Sequence, residues 1–286
     1  MTISMSSSLR DLDRVEDRIR QHRQVESVPV LVVEGPDDLL LLRDHLRREV
    51  IFPADGKRNA LRAMESLAAW SISGVRAILD ADFDEPEQRT DTRILLYEGR
   101  DLEGMLVLLG VLAHLLEHQG SASKLRNLGG PEELCRQLVR EAHSIAEIRA
   151  ANARESWGLR FDGVDVSPKV DRVTLKLDVS GFVAALIQAS DTDVDAATVL
   201  STVTGGTLDG RGPRGRDILA FAGRALRARV GSLQAAATTV DVLSRQLRSS
   251  SGLAVDRSDW LSSVRASIDA ARAELNEGAE NSPSSR

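Results

Sequence analysis

VPVLVVEGPDD, residues 28–38, is the stretch on which the fold turns. From Val28 to Val33 it is a near-continuous β-branched run, the pattern of a strand buried on both faces of a parallel sheet. Gly35-Pro36 turns the chain tightly, and Asp37 and Asp38 open a helix, DDLLLLRDHLRREV. VRAILDAD, residues 75–82, repeats the design: an apolar strand that runs into carboxylates. Between the two lie a short strand at residues 50–52, the turn ADGK, and a helix from about Arg58 to Trp70. A fourth strand is expected at residues 94–97, followed by the long apolar helix that begins DLEGMLVLLG. Strands alternating with helices in this way predict an α/β fold, a parallel sheet joined by right-handed crossovers and flanked by helices.

The flanking regions read differently. Residues 7–24 carry a narrow apolar stripe (Leu9, Leu12, Val15, Ile19) and predict a charged helix within an N-terminal segment, 1–27. The sheet-bearing domain is expected over 28–120 and a mostly helical region over 121–275. That region should hold helices near 131–153, 194–203, 214–229, 231–248 and 257–276, with Asp178 capping another. Residues 157–164 and 172–177 suggest a small strand pair. The low-complexity stretch 276–286 is expected to be disordered.

The chain has 286 residues, 42% hydrophobic and 28% charged, the balance of a globular protein. No apolar run approaches the roughly 20 residues that a membrane span needs. The N-terminus shows no signal-peptide core, so the cytoplasm is the expected compartment. A single cysteine, Cys135, excludes an internal disulfide and a multi-cysteine zinc site. His114 and His118 form an i, i+4 pair for which no third ligand is evident. The absence of a Walker-type glycine loop argues against ATP hydrolysis by this chain. Net charge is −6 and aromatics are 3%, neither of which suggests a general nucleic-acid coat. The most basic segment, GRGPRGRD, holds Arg211, Arg214 and Arg216 in a glycine-rich loop that could clamp a phosphate backbone.

Chemistry is concentrated at the strand ends. In open parallel sheets, ligands bind beyond the carboxyl ends of the strands. Glu34 ends the first strand, and Asp80 and Asp82 end the third. If the chain stays extended, their spacing of two points both to one side. Asp84 continues the series into the loop, and Asp101 and Glu103 begin the helix after the fourth strand. Crowded carboxylates repel one another until a cation relieves them. Hard oxygen ligands without His or Cys suit Mg2+ or Mn2+. Asp37 and Asp101 can equally serve as helix caps.

VLVVEGPDD followed by ILDADFD resembles the Toprim domain of topoisomerases, bacterial-type primases and OLD nucleases. The family pattern is a Glu after the first strand and a DxD after the third, here Glu34 and Asp80-Ala81-Asp82. A closer likeness is to a branch with EGpsD, a GK step, DxDfD and a later DlE. This chain has Glu34 to Asp38, Gly56-Lys57, Asp80 to Asp84, and Asp101-Leu102-Glu103. The likeness covers residues 28 to about 117 and implies a Toprim-like parallel sheet with a mostly helical C-terminal region. It also implies that Glu34 is a general base or ligand and that Asp80 and Asp82 are the principal ligands. Asp38, Asp84, Asp101 and Glu103 become candidates for a second ion. Lys57, at a glycine turn opening a helix, is a candidate phosphate contact. Where the branch often has G-H-D, this chain has Gly215-Arg216-Asp217, and an arginine there can touch phosphate but cannot act as a general acid.

The resemblance implies a Mg2+-dependent nuclease acting on DNA or RNA. Some members of the branch are phage-defence effectors that work with an ABC-type ATPase, and a homo-oligomer is compatible with the reading. Two rivals stand beside it. One is a regulatory module that binds metal or nucleic acid without chemistry. The other is a small-molecule phosphotransferase or phosphatase with a similar acidic rim.

Overall fold

A computed structural model describes residues 14–46, 48–83, 91–205 and 210–280. Asp84, the first part of the expected N-terminal helix and residues 281–286 of the expected tail lie outside them. The chain divides into two compact units. The first comprises residues 1–80, 89–97 and 256–286, and the second residues 81–88 and 98–255.

The first unit holds a four-stranded, all-parallel sheet: β1 (Val30–Val33), β2 (Val50–Pro53), β3 (Val75–Leu79) and β4 (Ile94–Leu96), in the order β2-β1-β3-β4. Every residue of β1 and β3 is buried; β1 is apolar throughout, and β3 is apolar but for Arg76. Val30 and Val32 pack with Val75, Ala77 and Leu79 against Ala60, Ala63, Met64 and Leu67 of the helix Lys57–Ala69. Val15 and Ile19 of the helix Val15–His22 close that core. Each fully buried leucine or methionine contributes roughly 1.5–3 kcal/mol.

The helix Asp259–Glu280 also belongs to this unit. Trp260 donates its indole N–H to the Leu96 carbonyl at 3.0 Å and stacks on Tyr97 with ring centroids 5.2 Å apart. Glu274 grips buried Arg76 of β3 through two hydrogen bonds, at 2.6 and 3.2 Å. Gly74 is needed opposite this helix, because a Cβ there would fall 2.5 Å from Leu275. The helix runs through Glu280 and so takes in residues 276–280, the first part of the stretch expected to be disordered.

The second unit is helical. The helices Leu102–Leu108 and Val111–Gln119, expected with the sheet, belong here. At the centre of the unit lies Gly215–Arg224, whose residues Ile218 to Ala222 are all buried against the 25-residue helix Pro131–Glu155 and against Leu102–Leu108. The small strand pair does not form. Only an isolated antiparallel bridge, Val170 with Leu177, is present. Asp171 explains this: its Oδ1 accepts the N–H groups of Val173 and Thr174 and the Thr174 hydroxyl, bending the segment into a turn. Gly158, at φ +74°, likewise breaks any strand in 157–164.

Cys135 sits inside the long helix, where burial, helped by the Glu132 charge, pushes its thiol up to about 11. It should therefore resist thiol reagents at neutral pH until the protein unfolds. Rapid labelling of the native chain would contradict that packing. Among the described residues no helix is long and apolar enough to cross a membrane.

Candidate active site at the switch point of the sheet

The strand order reverses direction between β1 and β3: from β1 the chain moves outward to β2, then returns to build β3 and β4 on the other side. Such a reversal opens a crevice at the carboxyl ends of the two central strands. Glu34 follows β1 and Asp80 follows β3, so these two residues flank the crevice. They are joined across it, because the Asp80 backbone N–H donates to Glu34 Oε1 at 2.7 Å. The Glu34 carbonyl in turn accepts the Gly56 N–H at 2.8 Å. Gly56 has φ +106°, which favours glycine, and this turn delivers Lys57, half-buried, as the first residue of the helix that follows β2, the strand beside β1.

Asp38 is buried under the same rim. Its Oδ2 accepts the Gly35 N–H at 2.8 Å, and its Oδ1 accepts the Tyr97 hydroxyl at 2.6 Å. Tyr97 is the site residue that the motifs did not reveal. It is the only tyrosine in the chain, fully buried, directly after β4. A lone tyrosine at a strand's carboxyl end was the available signal. Burial pushes its phenol well above the ordinary 10.0, and the charge of Asp38, the hydrogen bond to it, and the charges of Asp80 and Glu34 push the same way. The phenol thus senses three carboxylates at once.

That arrangement has a pH consequence. A raised folded pKa means the phenol's contribution is fully present below the unfolded value near 10 and is lost as pH rises beyond it. Phenolate absorbance should therefore appear only together with loss of native structure. A phenolate signal near pH 10 in a folded chain would refute this arrangement.

The other expected ligands lie in the second unit. β3 ends at Leu79, and Asp82 adopts the left-handed conformation, φ +46°. The extended geometry that would point Asp80 and Asp82 to one side is therefore not formed. Asp101 caps the helix Leu102–Leu108: its Oδ1 accepts the Gly104 N–H at 2.7 Å and the Gly215 N–H at 2.8 Å, and its Oδ2 lies 3.4 Å from Arg214 Nε. Burial and the neighbouring Glu103 raise its carboxyl, while Arg214 and the two N–H groups pull it down. Glu103 accepts Arg248 Nη1 at 2.7 Å and the Ser244 hydroxyl. Both acids thus bind internal donors. Asp84 is outside the described residues.

The G-R-D step is also occupied. A Cβ on Gly215 would fall 2.1 Å from the Gly104 nitrogen, so the glycine permits close packing. Arg216 pairs with exposed Asp241 at 2.7 Å, and Asp217 takes Arg149 in a fork at 2.8 and 2.9 Å. Arg211 is half-buried in the loop before that helix. His114 and His118 are exposed and touch only at the surface of their helix, Nε2 to Nε2 at 3.1 Å.

No protein-family model matches the chain, and no curated protein matches it. The site must be read from its own donors. Among the described residues no group of three or more His, Cys, Asp or Glu side chains could hold a metal ion by itself. The Glu34–Asp80 pair has a different fit. Mg2+ keeps several waters and is commonly held by one or two carboxylates plus the substrate's phosphates.

Proposed function

We propose that this chain is a Mg2+-dependent phosphodiesterase of Toprim type that hydrolyses DNA or RNA. The observation that carries the reading is the hydrogen bond from the Asp80 backbone to the Glu34 carboxylate across the switch point of a parallel sheet. Glu34 and Asp80 are the residues on which the activity depends. Asp82, two residues on, is the next carboxylate in the sequence, and Lys57 is the candidate contact to phosphate. A bound Mg2+ or Mn2+ would polarise a phosphoryl oxygen and make water a better nucleophile. Glu34 is suited to accept the attacking water's proton as the new P–O bond forms, while the bridging P–O bond breaks and the leaving oxygen takes a proton from solvent. Asp38, fixed by Tyr97, adds negative potential beneath the pair.

The test is incubation of the purified chain with Mn2+ or Mg2+ and single- and double-stranded DNA or RNA. Cleavage that chelation stops supports the reading, and no cleavage of any of these counts against it. By the same resemblance, an ABC-type ATPase is the proposed controlling partner, and co-purification of such a protein would support that part.

One observation favours the rival binding module. Arg214 and Arg216 are each paired with a carboxylate, which weakens the case for an open phosphate clamp. Calorimetry that detects Mg2+ binding without cleavage under any partner condition would select that reading.

A further inference from the structure

Arg100 is almost wholly buried, and its guanidinium serves several neighbours within the second unit. Its Nε donates to the Gly212 carbonyl at 3.0 Å and its Nη1 to the Asp82 carbonyl at 2.5 Å. The guanidinium carbon lies 4.3 Å from the centroid of the Phe83 ring. The Arg100 backbone completes the grip, since its carbonyl accepts the Asp82 N–H at 3.1 Å. Both backbone groups of Asp82 are thus held by one residue, in a left-handed conformation that side-chain-bearing residues rarely adopt. Such conformations persist only where the surroundings over-determine them. Gly212, also at positive φ (+72°), belongs to the loop that leads to Arg214 and Arg216.

We infer that Arg100 is a positioning residue that couples the acidic turn at Asp82 to the arginine loop at Gly212, so that a shift in one is transmitted to the other. In the nuclease reading, on which its catalytic meaning rests, this coupling sets a metal-ligand candidate and a phosphate-contact loop in one geometry. The fork is essential. Lysine carries its donors on one atom and lacks the flat fork whose separate Nε and Nη1 reach the two carbonyls while its plane faces the ring.

The test is amide hydrogen exchange on the full chain for wild type, Arg100→Lys, Pro213→Gly and the double variant. Arg100→Lys should speed exchange at residues 81–83 and at 210–214 together, by about tenfold, with β1 and β3 unchanged. Pro213→Gly, which frees the loop backbone and removes a buried ring, should speed exchange at 81–83 when Arg100 is present. It should add nothing there in the double variant, a non-additivity that independent sites do not show. Faster exchange at one segment alone, or additive effects, would overturn the coupling. In Mn2+-supported oligonucleotide cleavage, Arg100→Lys should lower kcat about tenfold at nearly unchanged KM. If wild type does not cleave, the nuclease reading fails, while the exchange pattern still decides the coupling.

Discussion

Asp80→Asn and Glu34→Gln should each lower phosphodiester cleavage by roughly 10²–10³-fold, the scale of losing one group that stabilises transition-state charge in a preorganised site. Both substitutions preserve shape. Asp80 contributes its backbone N–H to the bond with Glu34, and a glutamine at position 34 still offers an oxygen to accept it. The fold should therefore survive, which circular dichroism and a thermal midpoint can establish. A second readout comes from Tyr97. Each substitution removes one negative charge that raises the phenol, so Tyr97 should become easier to ionise. Full cleavage by either variant would remove the assignment, whatever the phenol does.

Asp101→Ala and Glu103→Ala should each cost about 3 kcal/mol of stability, for reasons independent of any metal. Asp101→Ala removes a helix cap worth about 1 kcal/mol. It also strands the buried Gly215 N–H, at a further cost of roughly 1–3 kcal/mol. Glu103→Ala leaves Arg248, 12% exposed, without the Glu103 carboxylate that pairs with it at 2.7 Å. Urea unfolding measures both effects. Unchanged stability together with lost Mn2+ binding would instead make these two acids ligands, as the motif resemblance implies.

The strands around the site were legible because Val28–Val33 is apolar throughout and Val75–Leu79 apolar but for Arg76, a pattern that suits a sheet covered on both faces. Glu34 and Asp80 were legible for the same reason: they are the first charges after those runs. The side on which Asp82 lies was not legible, because a spacing of two fixes a side only while the chain stays extended, and here it turns left-handed. The capping role of Asp101 was foreseen as an alternative, but its bond to Gly215 joins residues 114 positions apart, which no local pattern encodes. Tyr97 escaped because it belongs to no motif; only folding brings it to Asp38.

The helix Asp259–Glu280 has a consequence for biosynthesis. Its Trp260 and Glu274 reach back to Leu96 and Arg76, in strands translated long before. Until this helix leaves the ribosome, Arg76 lacks its carboxylate and Tyr97 its stacking partner. The second unit lies almost entirely within the intervening chain, so it can fold while translation proceeds. The sheet matures afterwards, and a ribosome stalled before residue 259 would carry Glu34 and Asp80 on an unfinished scaffold. Whatever activity these residues have thereby waits until residues 259–280 have emerged.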